Sequence, residues 1–337
     1  MISYSNWSVL TMAFVIVTYL ALSGVALSSV LYLVGAKWRF QIRQLAVSLY
    51  ALFPMAFVLL LILLAGGHHT FPWLSMFKGE EAHMPGWYTL PLLATREVIG
   101  MLTIMALWWV FIKRQEASER SEEDAAKFHH IACWVPFFTV LYATMVAWDF
   151  EMTLKPSWHS AIYGMQNLVS NFGMFLAFMV IWVYVLNNSG RLVKKVEDFV
   201  YNYFAQLMFA FTLLWLYTYF SQYLVIWYGN IGEERNRIDT MQDGVYSFFW
   251  WAVLAMKFII PFIALAFPFT RHNAQATLAV AACIITGTIF ERFVWIAGVD
   301  PKGGVPVLAF LLVASITAMV GYVLVRSALR RNQLIKA

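Results

Sequence analysis

Charge is scarce in this chain. Only 12% of its 337 residues are Asp, Glu, Lys or Arg, against 61% hydrophobic. A soluble domain carries roughly a quarter charged residues, so the composition excludes an ordinary soluble protein. Cysteine is scarcer still. Cys133 and Cys283 lie in apolar runs without a CxxC spacing, so neither a disulfide framework nor iron–sulfur ligation can be read from them. Histidine is missing from the interior of every long apolar run. His68, His69, His83 and His159 flank runs on one side and His129, His130 and His272 on the other, which leaves no facing pair to ligate a transmembrane haem b. The sequence has no Walker loop, no GxSxG, no HExxH, no dinucleotide fingerprint, and no low-complexity tract or convincing repeat.

What it has is apolar length. A membrane-spanning helix needs about 20 apolar residues, and nine stretches qualify, at 9–34, 44–66, 89–112, 130–149, 160–186, 200–228, 245–268, 275–297 and 305–325. These predict an all-α integral membrane protein with nine transmembrane helices and no room for a soluble domain. The first run has no basic segment before it and exceeds the apolar core of a signal peptide, so it reads as a span.

Lys and Arg set the orientation. Fifteen fall in the connections after spans one, three, five and seven and in the C-terminal tail, five in the opposite connections, and three within spans. This bias predicts an outer N-terminus and a cytoplasmic C-terminus, and it ties the net charge of +5 to topology rather than to nucleic acid. The longest cytoplasmic connection, 113–127, reads as a solvated loop or short helix. The outer connections 68–87 and 229–244 mix aromatics, acids and turn residues, as a docking surface or membrane interface would. Their group His68, His69, Glu80, Glu81 and His83 matches no compact metal motif and reads as solvated or partner-facing.

Ionisable groups within a bilayer are costly and face the bundle interior or a water-filled cavity. Here they gather toward the outer side: Arg96 and Glu97 in span three, Asp149 and Glu151 at the end of span four, His159 before span five, and Glu291 and Arg292 in span eight. Sequence neighbours on a helix do not face each other, so the pairs are expected to cross between helices in an outer polar cluster. Lys257 stands alone near midspan, about 18 Å from either end at 1.5 Å per residue, beyond a lysine's reach to water. It precedes Pro261, whose ring removes the partner of the Lys257 carbonyl, and a buried polar pocket is expected there. In span six, Phe211, Trp215, Tyr219 and Gln222 share a face. Thr218 and Gln222 could hydrogen-bond to a neighbouring helix or line a hydrated path.

Two segments carry a family resemblance. The first is Phe209-Ala210-Phe211-Thr212-Leu213-Leu214-Trp215, then Phe220-Ser221-Gln222-Tyr223, Ile226-Trp227-Tyr228-Gly229-Asn230 and Glu233-Glu234. The second, looser, runs from Trp148-Asp149 through Leu154-Lys155-Pro156-Ser157-Trp158-His159 to Gly164. Together they resemble the ActF subunit of alternative complex III, in the wider NrfD/PsrC-like family of polytopic membrane subunits, over roughly residues 130–300. The family places His directly after the proline, where this chain has Ser157 and a His two positions later. Its members generally have ten spans with both ends cytoplasmic, so nine spans with an outer N-terminus look like such a chain without its first helix.

The resemblance implies two four-helix bundles, here about 9–149 and 160–297, with a peripheral helix at about 305–325. It implies no redox cofactor in this subunit, which would sit in the bacterial inner membrane. Expected partners are an ActC-like quinol-binding subunit, an iron–sulfur protein, multihaem cytochromes c and a possible terminal oxidase. The implied role is proton conduction coupled to quinol oxidation, for which Arg96, Glu97, Asp149, His159, Gln222, Lys257, Glu291 and Arg292 are the candidate path or polar cavity. Alternatives are quinol binding by this chain itself, with Asp149 or His159 accepting the proton, a secondary transporter with a midplane site, and a purely structural anchor.

Overall fold

In a computed structural model of the chain, residues 3–76, 89–230, 232–300 and 304–336 are described. Among them, nine helices are long and apolar enough to cross a membrane: α1 Tyr4–Leu33, α2 Arg39–Ala65, α3 Leu90–Ala117, α4 Glu122–Met152, α5 Tyr163–Asn188, α6 Phe199–Gly229, α7 Ser247–Ala266, α8 Ala274–Val299 and α9 Val307–Arg331. The chain is a membrane protein of all-α class, and the described residues contain no strand beyond one isolated bridge, Leu192 with Ile335.

Local chemistry sets the helix ends. Ser3 caps α1 by accepting from the Asn6 amide, Ser121 caps α4 by accepting from that of Asp124, and Asn273 caps α8 through the amides of Gln275 and Ala276. Glu122, Glu123 and Asp124 fill the first turn of α4, where the helix dipole favours acids. Asn230, at φ 47°, ends α6 in the left-handed conformation. The connection 113–127, expected as a loop or short helix, is mostly a continuation of α3 and α4, which leave only residues 118–121 between them. A polar helix, Gly232–Asp243, occupies the connection after α6.

α1 is the central helix, with 83% of its most apolar stretch buried. It packs on α2, α4, α5 and α9. α3 packs on α4; α5 packs on α4, α6 and α8; and α7 packs on α6 and α8. Gly24 brings α1 and α2 together, since a β-carbon there would stand 2.1 Å from the Ala46 carbonyl oxygen. Tyr19 Oη and Ser29 Oγ donate across to the carbonyls of Ala143 and Ala132 on α4, the interhelical bonding that replaces the hydrophobic drive in lipid. α9 is peripheral: its most apolar stretch is 6% buried.

Two spans contain π-helical turns. α4 ends in a π-helical turn, Trp148–Met152, and α7 contains another, Ala255–Ile259. In the second, the Ile260 amide bonds the Ala255 carbonyl and Pro261 follows within the first two positions of the next helical segment. The widened turn takes up the proline, a more specific arrangement than a simple kink. π-turns recur at functional sites, and these two carry Asp149, Glu151 and Lys257.

Candidate functional site

The stretch Trp148–Met152 places two carboxylates on different partners. Asp149 faces α3, where Arg96 grips it with Nε at 2.6 Å and Nη2 at 2.5 Å, a two-pronged charge-assisted pair. Glu151 turns toward α5 and α8. Arg292 Nη1 donates to both of its oxygens, Tyr163 Oη to Oε2 at 2.5 Å and Asn167 Nδ2 to Oε1 at 2.7 Å. Asp149, Glu151 and Arg292 are buried to within 1%. Burying an ion pair is tolerated only when geometry and additional hydrogen bonds offset lost hydration, and the bonds around Glu151 meet that condition.

From Arg292 the network continues toward midspan. Its Nη2 lies 3.3 Å from Glu291 Oε2, and Glu291 in turn lies 3.5 Å from Lys257 Nζ. Neighbours in sequence do meet here, contrary to the helical-face expectation, although Arg292 makes its closest contacts across to Glu151 on α4. Ser170 joins acid and amine: its hydroxyl accepts from Lys257 Nζ at 2.7 Å and donates to Glu291 Oε2. Thr288 Oγ1 accepts from Lys257 at 2.7 Å, and Trp215 Nε1 donates to Glu291 Oε1 at 3.0 Å. Lys257 is therefore in a polar pocket near midspan. Gly287 makes room for it, since a β-carbon there would lie 3.0 Å from Lys257 Cγ and 2.9 Å from Met256 Cβ.

Glu97 is different. It is fully buried, and neither carboxyl oxygen has a hydrogen-bond partner among the described residues. Asp149, Arg96 and Tyr142 are its polar neighbours, and the Tyr142 hydroxyl likewise makes no hydrogen bond among them. Among the described residues, one guanidinium thus stands against two carboxyl groups, whereas Glu151 and Glu291 are balanced by Arg292 and Lys257. Tyr19 lies within electrostatic reach of Glu151, Arg292 and Glu97.

The sequence reading passed over several participants. Tyr163, Asn167, Ser170 and Asn171 form one polar face of α5 at helical spacing, a signal visible in the apolar run 160–186. Arg237, in the polar helix Gly232–Asp243, belongs to a connection expected to form a docking or interfacial surface, yet it is 2% exposed. It donates to the carbonyls of Glu151 and Trp295 at 3.2 Å and of Met152 at 3.4 Å, and stacks against Trp158 and Trp295. Burial lowers the Arg237 guanidinium to about 10, so it remains a cation at neutral pH.

Of the eight candidates, Arg96, Glu97 and Asp149 come together, as do Lys257, Glu291 and Arg292. Gln222 is buried but bonds elsewhere, accepting from Ser160 Oγ at 3.2 Å. His159 is exposed. Thr218 bonds carbonyls of its own helix, those of Leu214 and Trp215, rather than a neighbour. Trp215, from the aromatic stripe, is the α6 residue that reaches the network.

No group of three or more His, Cys, Asp or Glu gathers as a metal site among the described residues. Of the loop group, His68 and His69 are exposed, and Glu80, Glu81 and His83 lie outside the described residues, as does the Glu233 side chain of the expected docking edge. The contacts form two groups, Arg96 with Asp149 beside Glu97, and Glu151, Arg292, Glu291, Ser170 and Lys257 in sequence. Neither a protein-family model nor a curated protein matches this chain.

Proposed function

We propose that this chain is a membrane subunit, without a redox cofactor of its own, of a quinol-oxidising respiratory complex of the alternative complex III type, and that it carries protons toward midspan. The observation behind the reading is a row of buried polar groups in two parts that share the π-turn Trp148–Met152: Glu97 with Arg96 and Asp149, then Glu151, Arg292, Glu291, Ser170 and Lys257. So many ionisable groups inside apolar helices are costly and mark proton or ion pathways. Glu97 is the group in this row that takes and gives up the proton, since among the described residues its surroundings hold one cation for two acids. Ser170, accepting from Lys257 and donating to Glu291, is oriented as a relay.

In this reading the row opens to the outer side, by the Lys and Arg distribution, in a bacterial inner membrane. α1–α4 and α5–α8 form the two four-helix bundles, with α9 peripheral. Quinol would be bound by an ActC-like neighbour, and electrons would pass to iron–sulfur and multihaem cytochrome c partners and on to an acceptor such as a terminal oxidase.

Two measurements test this. Purification in mild detergent is expected to bring down c-type haem and iron–sulfur subunits, whereas a stand-alone transporter or a lone anchor would purify without them. In the assembled complex, Glu97→Gln is expected to lower proton translocation per electron at least severalfold with assembly intact. Unchanged coupling would reduce the row to structural ion pairs. A quinone retained against this chain, lost on changing Asp149 or His159, would favour direct quinol binding instead.

A further inference from the structure

α9 leaves a space against the rest of the molecule. Its three buried residues, Gly321, Val325 and Leu329, all lie toward its C-terminal end. Gly321 permits the contact, since a β-carbon there would stand 3.3 Å from Leu52. Further along, the small side chains Ala314 and Ala318 face a groove walled by α1, α2 and α5, with a cavity volume of about 420 Å³. Its lining runs from Phe310 to Leu329 on α9, about 28 Å at 1.5 Å per residue.

The lining is apolar apart from Thr317 and one charged end. There Arg191 and Arg326 stand with Tyr322 between them: Arg191 Nη1 donates to the Tyr322 hydroxyl at 3.3 Å, and the Arg326 guanidinium lies 5.9 Å from the Tyr322 ring centre. No acid lines the groove, and neither arginine has a carboxylate partner among the described residues. The backbone holds this end in place. The tail after α9 pairs with the segment after α5, Lys336 donating to the Arg191 carbonyl at 2.7 Å and the Val193 amide to that of Leu334 at 3.0 Å. Arg191 is thereby held at the mouth of the groove.

We propose that the groove between α9 and the body is a binding site for one anionic glycerophospholipid, its phosphate on Arg191 and Arg326 and an acyl chain along Ala318 and Ala314. Charge complementarity and length select this occupant. A zwitterionic lipid carries a cation beside its phosphate and so brings no net negative charge to the two arginines, and a free phosphate leaves the apolar channel empty. Basic pockets between helices at the lysine- and arginine-rich end of a membrane protein suit anionic head groups, and guanidinium groups suit phosphate. The site lies apart from the charged row and does not depend on the function proposed for it.

The test uses the full chain, delipidated in mild detergent. Phosphatidylglycerol is expected to rebind at one per chain and raise the thermal midpoint, with phosphatidylcholine at least tenfold weaker and inorganic phosphate without effect. Arg191→Gln with Arg326→Gln is expected to weaken phosphatidylglycerol about tenfold or more. Because Arg191 is exposed, Arg326 half-buried, and neither has a carboxylate partner among the described residues, folding is expected to survive. Ala318→Trp, which fills the channel, should abolish retention while leaving the arginines in place. Equal binding of phosphatidylcholine, unchanged affinity in the double arginine variant, or an equal effect of inorganic phosphate would each overturn the proposal.

Discussion

Arg292 and Glu151, 141 positions apart in sequence, close on each other in the interior, with side chains 1% and 0% exposed. Their contact joins α8 to the widened end of α4. Around it, Tyr163 and Asn167 satisfy what the guanidinium leaves of the carboxylate. Removing one partner of such a pair leaves an uncompensated buried charge, which costs far more than the pair contributes.

Glu151→Gln is therefore expected to destabilise the chain by about 3–5 kcal/mol, read as a fall in the unfolding midpoint in detergent. Replacing both partners, as Glu151→Leu with Arg292→Met, is expected to recover most of that loss. A double variant worse than the sum of the two single changes would mean that the pair organises the fold beyond its own charges.

Glu97 and Asp149 make opposite predictions although they are neighbours. Glu97→Gln removes no hydrogen bond among the described residues, so its stability cost is expected to stay within about 1 kcal/mol. Asp149→Asn breaks the two-pronged contact with Arg96 and is expected to cost about 2–3 kcal/mol, less than a fully buried pair because Arg96 is 12% exposed. Thermal unfolding of the two variants side by side checks the ordering. Equal losses would place Glu97 in the structural pair as well.

The spans were legible because apolar length in a membrane helix is a one-dimensional property, and all nine expected runs coincide with helices. The intramembrane charges were legible for the same reason: Glu97, Lys257 and Glu291 are conspicuous in apolar surroundings. Their pairing was not, since it depends on which helix faces which. The rule against i,i+1 contacts led away from the Glu291–Arg292 approach. Arg237 was hidden by its neighbours, sitting among charged residues in a helix that looks solvated. Gln222 was the reverse case, prominent in its run yet bonded to Ser160 at the end of the bundle. Nothing in the residues at Trp148–Met152 announces a π-turn, whereas Pro261 signalled the irregularity near Lys257 without its form.

Gly287 offers a test of the midspan pocket without touching a charge. Gly287→Val places a branched side chain against Met256 and the Lys257 stem, with even the first carbon 2.9 and 3.0 Å from them. Overpacking of this kind costs about 1–3 kcal/mol, and the displaced lysine would lose Ser170 and Thr288. The variant is expected to show a lowered midpoint together with reduced proton transfer. A lowered midpoint with transfer intact would separate Lys257 from the pathway.

Arg237 joins the ends of α4 and α8 through three carbonyls and two indole rings, contacts that a planar, multiply donating guanidinium can make together and an ammonium cannot. Arg237→Lys is expected to lower stability by about 1–3 kcal/mol, and Arg237→Met by about 2–4 kcal/mol, since the carbonyls of Glu151 and Trp295 then lose their donor. The pH dependence follows from the sign of the shift. Burial holds the guanidinium at about 10, below its ordinary value, so deprotonation would favour the folded state only as pH rises above about 10. Below that, folded and unfolded chains carry the same proton, and linkage gives no slope. The difference in unfolding midpoint between Arg237→Met and the parent is therefore expected to be constant from pH 6 to pH 9. A difference that changes across that window would mean that Arg237 acts through a neighbouring group that titrates there, and its hold on the Glu151 end of α4 would then be electrostatic rather than a matter of fixed hydrogen bonds.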